Sequence, residues 1–269
     1  MVKTVKLSRL ILFIVLIAFF LNSCAHSADK VFQGRNPYLM LETSMIEVHG
    51  VSTRYVDRGQ GETVLLIHGF PETLQGWRKN VPEFAANYRV VALDVVGFGG
   101  TDKVDWGFSC VRLGEFVKAF MDKLGIAKAH VIGTDTGSLI ALALAANYPE
   151  KTGKLILFSG GGSEDSISAV DVRMMIKPVL GEFGFLLLGP LTLKMGIKKG
   201  FYRPENIERE IIKEYTTYLS SWRSRRLALK LMRHLGDGYD GVMEKLKAHP
   251  PPTLILWAEH EKYFYSWVP

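Results

Sequence analysis

Five short apolar runs constrain what this chain can fold into. Thr63–Ile67, Arg89–Leu93, His130–Ile132, Lys154–Phe158 and Thr253–Trp257 are nearly continuous hydrophobic text. A strand turns successive side chains to opposite faces, so a run without polar alternation describes a strand covered on both sides. Amphipathic segments at 111–124 and 137–148 fall between these runs. Two short strands, Ile46–His49 and Ser52–Asp57, precede them around a turn at Gly50. Strands alternating with helices predict an α/β fold with a mostly parallel sheet and helices on both faces. With 269 residues and 48% hydrophobic content the chain can bury one such core, and 22% charged residues argue against a disordered or fibrous chain.

The alternation breaks between Gly160 and His249. The text there is helical, rich in Leu, Met and Lys, and bracketed by Gly160-Gly161-Gly162 and Pro250-Pro251-Pro252. Some 90 residues between two core strands exceed any ordinary loop and predict a helical cap inserted after the sixth strand. The expected organisation is a core over 43–159, a cap over 160–249 and a resumed core over 250–269.

The amino terminus is of a different kind. Lys3, Lys6 and Arg9 precede the apolar stretch Leu10–Leu21, then Asn22, Ser23 and Cys24. A basic start and about a dozen apolar residues describe an export signal, short of the roughly 20 needed for a spanning helix. Leu21-Asn22-Ser23-Cys24 resembles the lipobox of bacterial lipoproteins, which implies lipidation of Cys24 and membrane anchoring through residues 25–42 as a tether. Cleavage near Ala25 or Ala28, giving a soluble periplasmic or secreted protein, is the alternative. Three of the 33 basic residues and none of the 27 acidic ones precede Cys24, so the formal charge of +6 falls to about +3 for the remainder. The clusters Lys198-Lys199 and Arg223–Arg226 read as solvated helix faces, with anionic lipid contact as the sharper reading and no nucleic-acid motif beside them. Cys110, the other cysteine, reads as a small apolar residue at a helix start, and no intrachain disulfide is expected.

Chemistry concentrates in Val131-Ile132-Gly133-Thr134-Asp135-Thr136-Gly137-Ser138, which runs into an alanine- and leucine-rich helix. A strand, small-x-nucleophile-x-small, then a helix describes a nucleophile elbow, which lifts its central side chain above the carboxyl edge of the sheet. Here that residue is Asp135. A carboxylate attacking carbon forms an ester that water must then cleave, which suits electrophilic sp3 carbon in an epoxide or a carbon bearing halide. An ordinary Gly-Asp-Thr-Gly turn, with Asp135 capping the next helix, is the plain alternative. A serine esterase is disfavoured, because Ser138 lies beyond the second glycine.

Two further motifs accompany the elbow: Leu65-Leu66-Ile67-His68-Gly69-Phe70-Pro71-Glu72-Thr73 and Leu93-Asp94-Val95-Val96-Gly97-Phe98-Gly99-Gly100-Thr101. Together the three resemble the α/β-hydrolase fold family, in its epoxide hydrolase and haloalkane dehalogenase branch, from about residue 44 onward. That resemblance implies an oxyanion loop at His68-Gly69, with the backbone N–H groups of Phe70 and Thr136 directed at one oxyanion. Asp94 reads as structural, satisfying local backbone donors. In relatives an acid follows the strand after the cap, and Glu261 in Trp257-Ala258-Glu259-His260-Glu261 takes that place; an ordinary charged loop residue is the alternative. The resemblance also implies a further strand, helix and histidine base after it, and no histidine follows Glu261 here. The chain is therefore expected to be a fragment or natural truncation, in which Asp135 could be alkylated once but turnover would fail or be very slow.

Epoxide hydrolases donate a proton from cap tyrosines, for which Tyr202, Tyr215 and Tyr218 are candidates, the last two sharing a helix face at i, i+3. Packing of the cap is the plainer role for each. The residue after the nucleophile, tryptophan in typical haloalkane dehalogenases, is Thr136. The expected activity is an epoxide hydrolase-like reaction on a small apolar electrophile, without cofactor or metal. A haloalkane dehalogenase and a catalytically impaired, lipid-anchored binding protein are the alternatives.

Overall fold

The computed structural model describes residues 40–160, 170–177 and 179–264. The signal segment, Cys24 and most of the tether lie outside these residues. Strands β1 (Ser44–Val48), β2 (Val51–Arg58), β3 (Thr63–Ile67), β4 (Arg89–Leu93), β5 (Ala129–Thr134), β6 (Thr152–Phe158) and β7 (Thr253–Leu256) form one sheet in the order β1-β2-β4-β3-β5-β6-β7. β1, β2 and β4 pair antiparallel in succession, and every later pairing is parallel. Helices α1 (Asn80–Ala85), α2 (Cys110–Lys123) and α3 (Thr136–Asn147) connect the core strands. Between β6 and β7 stand α4 (Val170–Ile176), α5 (Leu180–Gly200), α6 (Arg209–Thr217), α7 (Trp222–His234) and α8 (Tyr239–Ala248).

The continuous apolar runs split between two cores as strand geometry requires. Leu65, Ile67, Val91 and Leu93 join the large cluster that includes α2, α3 and the cap helices. Their neighbours Val64, Leu66, Val90 and Ala92 join a smaller cluster with Leu74, Trp77 and Val81 on the other face. β7 departs from the expectation of cover on both faces. It is the last strand in the sheet order, and Leu254, Ile255 and Leu256 are exposed.

Cys110 opens α2 behind the cap residue Ser109, fully buried, with its thiol pushed up to about 11 by burial. The basic text at 223–226 is not simply solvated. Arg225 donates to the carbonyls of Leu186, Leu219 and Ser220, and Arg223 donates to that of Lys103. Arg225 thus ties the cap to itself, and Arg223 ties it to the core. Among the described residues no helix is long and apolar enough to cross a membrane.

Candidate active site

β5 ends at Thr134 and α3 begins at Thr136, so the chain reverses within a single residue, Asp135. Its backbone sits at φ 51°, ψ −122°, a strained conformation for any side chain but glycine. The flanking glycines make the reversal possible. A Cβ on Gly133 would fall 2.5 Å from the Gly137 carbonyl oxygen, and one on Gly137 would fall 2.5 Å from the carbonyl oxygens of Ile67 and His68. The strain and the close approach together hold the Asp135 side chain out at the sheet's carboxyl edge.

Asp135 Oδ1 accepts from the Phe70 N–H at 3.2 Å and from the Thr136 N–H. Both backbone donors expected of an oxyanion hole thus converge on one oxygen of Asp135 itself. A simple helix cap would accept from the second or third helical residue. Asp135 instead joins the first residue of α3 to a loop 65 positions earlier. Burial pushes its carboxyl up to about 7, against the downward pull of the two N–H donors; the Glu72 charge adds a smaller upward push.

His68 and Gly69 place this loop. The buried His68 ring accepts from the Val95 N–H through Nε2 at 3.0 Å, so its proton sits on Nδ1, 2.9 Å from the Gly69 carbonyl. Burial lowers its affinity for a second proton, so it remains a neutral brace between the loops after β3 and β4. Asp94 is the structural residue expected. Its carboxylate accepts from the N–H groups of Leu74 and Gly100 and from Arg54, and Thr101 donates to its carbonyl.

Glu72 had no role assigned by sequence, although it belongs to the quoted loop motif. Its Oε2 faces the Gly69 N–H at 3.4 Å, and burial raises its affinity for a proton. Tyr215, buried in α6, points the same way. A Cβ built on Gly76 would lie 2.9 Å from the Tyr215 hydroxyl and 3.6 Å from Glu72 Oε2. Burial, and then the Glu72 charge, hold that phenol well above its usual range, so it keeps its proton. Tyr218 does not share Tyr215's helix. α6 stops at Thr217 because Ser221 must be extended to cap α7 through the Ser224 N–H, and Tyr218 falls in a 3₁₀ turn between them. Tyr202 lies outside the site, 85% exposed.

Sequence reading also missed the cap's attachments. Glu214 of α6 pairs with Arg54 of β2 and accepts from Thr73 Oγ1, while Glu208 pairs with Arg78 and Lys79. Glu261 accepts from the N–H groups of Lys262 and Tyr263, both at 2.9 Å, within its own turn. Among the described residues no histidine hydrogen-bonds Asp135 or Glu261: His130 accepts from the Lys154 N–H and His234 faces Asp237. Ser138 donates to the carbonyls of Gly133 and Ser159 from a buried position, away from any nucleophilic role.

The profile of the α/β hydrolase fold matches residues 62–184. A Paraburkholderia phymatum protein, 2-hydroxy-6-oxononadienedioate/2-hydroxy-6-oxononatrienedioate hydrolase, is 42% identical over 235 residues, covering 78% of this chain and 74% of that one. The chain belongs to the α/β hydrolase family. Human epoxide hydrolase 4 is 37% identical over 130 residues, 47% of this hydrolase and 34% of that protein. The chain likewise spans 38% of the Cupriavidus necator dihydrolipoyllysine-residue acetyltransferase component of the acetoin cleaving system, at 38% identity over 143 residues. The crystal structure of Cfl2 from Burkholderia cenocepacia superposes with a TM-score of 0.73 at 22% identity, covering 83% of this chain and 82% of that one, a likeness of fold. The relatives include, by name, a 2-hydroxy-6-oxononadienedioate hydrolase and an epoxide hydrolase, so membership alone leaves the substrate open.

Proposed function

We propose that this hydrolase acts through Asp135 as a carboxylate nucleophile on small apolar epoxides. The observation that carries the reading is the seating of Asp135 Oδ1 on the Phe70 and Thr136 N–H groups. A serine enzyme keeps such a pocket for the substrate carbonyl; a carboxylate nucleophile brings its own oxygen to it. Oδ1 is therefore held and Oδ2 is the oxygen left to attack. Oδ2 bonds to an epoxide carbon, the ring C–O bond breaks, and the alkoxide takes the proton kept on Tyr215. The product is an ester whose carbonyl oxygen, Oδ1, still rests on the same two donors. Water adding at Cγ would then place its developing charge on that oxygen; collapse returns the carboxylate and a diol, with one water proton going to the departing alkoxide and the other restoring the Tyr215 phenol.

Mass spectrometry after rapid quench with a terminal aryl epoxide tests the reading. A mass gain equal to the epoxide, mapped to the peptide containing Asp135 and absent in Asp135→Asn, is the expected result. Modification elsewhere, or none, rejects it. Halide release from a bromoalkane without diol formation from epoxides would favour the dehalogenase reading instead.

A second reading draws on the absence of a histidine contact to Asp135 among the described residues. An adduct that forms fully and never turns over would mark a catalytically impaired binding protein on a hydrolase scaffold. For the amino terminus we retain export and lipidation of Cys24, for which labelled palmitate incorporation, lost in Cys24→Ala, is the test.

A further inference from the structure

We propose that the exposed side of cap helix α5 docks this protein on the surface of an anionic phospholipid bilayer. The helix is apolar nearly all round over 21 residues. One side is accounted for, since Phe185, Leu186, Leu193 and Ile197 pack into the main core. A water-facing helix then carries polar residues on its other side. Here that side carries Phe183, 64% exposed, and Leu187, 48% exposed, one turn apart. Val179, a turn earlier and joined to Phe183 by a backbone hydrogen bond, is 76% exposed, and Gly184 faces open space. Pro190 lies within the helix, and beyond it the exposed residues are Thr192, Met195, Lys199 and Gly200, followed by Phe201 and Tyr202. Exposed apolar residues in such concentration mark an interaction surface rather than chance.

Charge selects the partner. From Arg173 to Arg203 the sequence holds six basic residues, Arg173, Lys177, Lys194, Lys198, Lys199 and Arg203, and one acidic residue, Glu182. Glu182 is already paired with Arg233 at 3.2 Å. The apolar stretch thus lies between two cationic ends, at Arg173 and Lys177 before it and at Lys194 to Arg203 after it. At the second end Arg203 lies over the Tyr202 ring, 5.9 Å from its centre. Apolar and aromatic side chains flanked by cations suit the boundary between acyl chains and anionic headgroups, where the helix lies in the plane of the interface. A protein partner would need a matching apolar, acidic groove; a bilayer offers both properties everywhere. The surface is separate from Asp135 chemistry, so its test reads no activity.

Hydrogen exchange of the full chain on vesicles decides the matter. Vesicles of phosphatidylcholine alone are compared with vesicles of equal parts phosphatidylcholine and phosphatidylglycerol. The amino-terminal segment, with Lys3, Lys6 and Arg9 before its apolar stretch, also responds to lipid charge, so the comparison is read locally, at residues 179–203. Slower exchange across residues 179–203 on the anionic vesicles alone is expected. The pair Lys194→Glu and Lys198→Glu should weaken anionic-vesicle binding by about tenfold or more, and Phe183→Ser with Leu187→Ser should remove the protection. Circular dichroism confirms that these variants keep the fold. Equal exchange on both vesicle types, or charge-reversed chains that bind like the parent, overturns the proposal. So does protection that grows with protein concentration in the absence of lipid, which would assign the face to a second copy of the chain.

Discussion

Ester formation at Asp135 should depend steeply on pH, because only the ionised carboxylate can attack. Burial raises this carboxyl to about 7 from the ordinary 3.8, so it is half charged at neutral pH. About a tenth is charged one unit lower and about nine-tenths one unit higher. The rate of adduct formation with excess epoxide, followed by rapid quench and intact mass, should therefore rise about tenfold per unit below pH 6 and flatten above pH 8. Glu72 supplies the internal control. Its negative charge disfavours a second charge on Asp135, so Glu72→Gln should move the midpoint to lower pH. Because the two carboxyls interact, each midpoint belongs to the pair rather than to one residue. A rate that stays flat from pH 5 to pH 8 would refute the reasoning, since it would place the ionisation of the nucleophile in the ordinary carboxylate range. An unshifted midpoint in Glu72→Gln would refute the coupling alone.

The same shift predicts a stability effect of opposite sense. A carboxyl raised on folding binds its proton more tightly in the folded state, so its contribution to stability falls as pH rises from about 4 to about 7. Asp135→Asn should accordingly raise Tm more at pH 8 than at pH 5, and an equal change at both would contradict the buried-carboxylate account. Tyr215→Phe removes the proposed proton donor while keeping the ring; epoxide alkylation should slow by about 100-fold, with alkylation by a bromoalkane nearly unchanged. Gly69→Ala would drive a Cβ to 2.5 Å from Asp135 Cβ, so adduct formation should be lost while the far-ultraviolet spectrum is kept. Arg54→Met strips the fully buried Asp94 of its charge partner and should lower stability by about 3–5 kcal/mol in urea unfolding, whereas Glu214→Gln leaves that pair intact and should have a smaller effect.

Much of this architecture was legible because it rests on short-range rules. The uninterrupted runs at 63–67 and 89–93 could only be strands with cover on both faces, and alternate residues do divide between the two cores. The elbow was legible because only small residues permit its reversal, so its glycines write the geometry into the text. Asp135, Phe70 and Thr136 met as expected because each is fixed by backbone rather than by side-chain choice. What could not be read depends on contacts between distant segments. Arg54 lies 160 positions from Glu214, and Glu72 lies 143 positions from Tyr215, and nothing local in either pair announces the other. The end of α6 was misread for a local reason: the demand of Ser221 for an extended backbone competes with the helical pattern that continues through Tyr218. The cover expected for β7 is not found among the described residues, which run only eight positions past that strand.

The missed residues share a feature that bears on how the site works. Glu208, Glu214 and Tyr215 lie in or beside the nine-residue helix α6, and all three reach the segment that follows β3, Glu214 reaching β2 as well. Glu208 holds Arg78 and Lys79, Glu214 holds Arg54 and Thr73, and Tyr215, next after Glu214, comes down beside Glu72. Two ionic anchors on one short helix leave it little freedom to tilt, and that rigidity is what a proton donor at a reacting oxygen requires. It follows that the anchors should act on the reaction through Tyr215. Weakening either one should slow epoxide opening, which needs the phenol, more than alkylation by a bromoalkane, which does not. A loss equal for both substrates would instead mean that the anchors merely keep the cap folded.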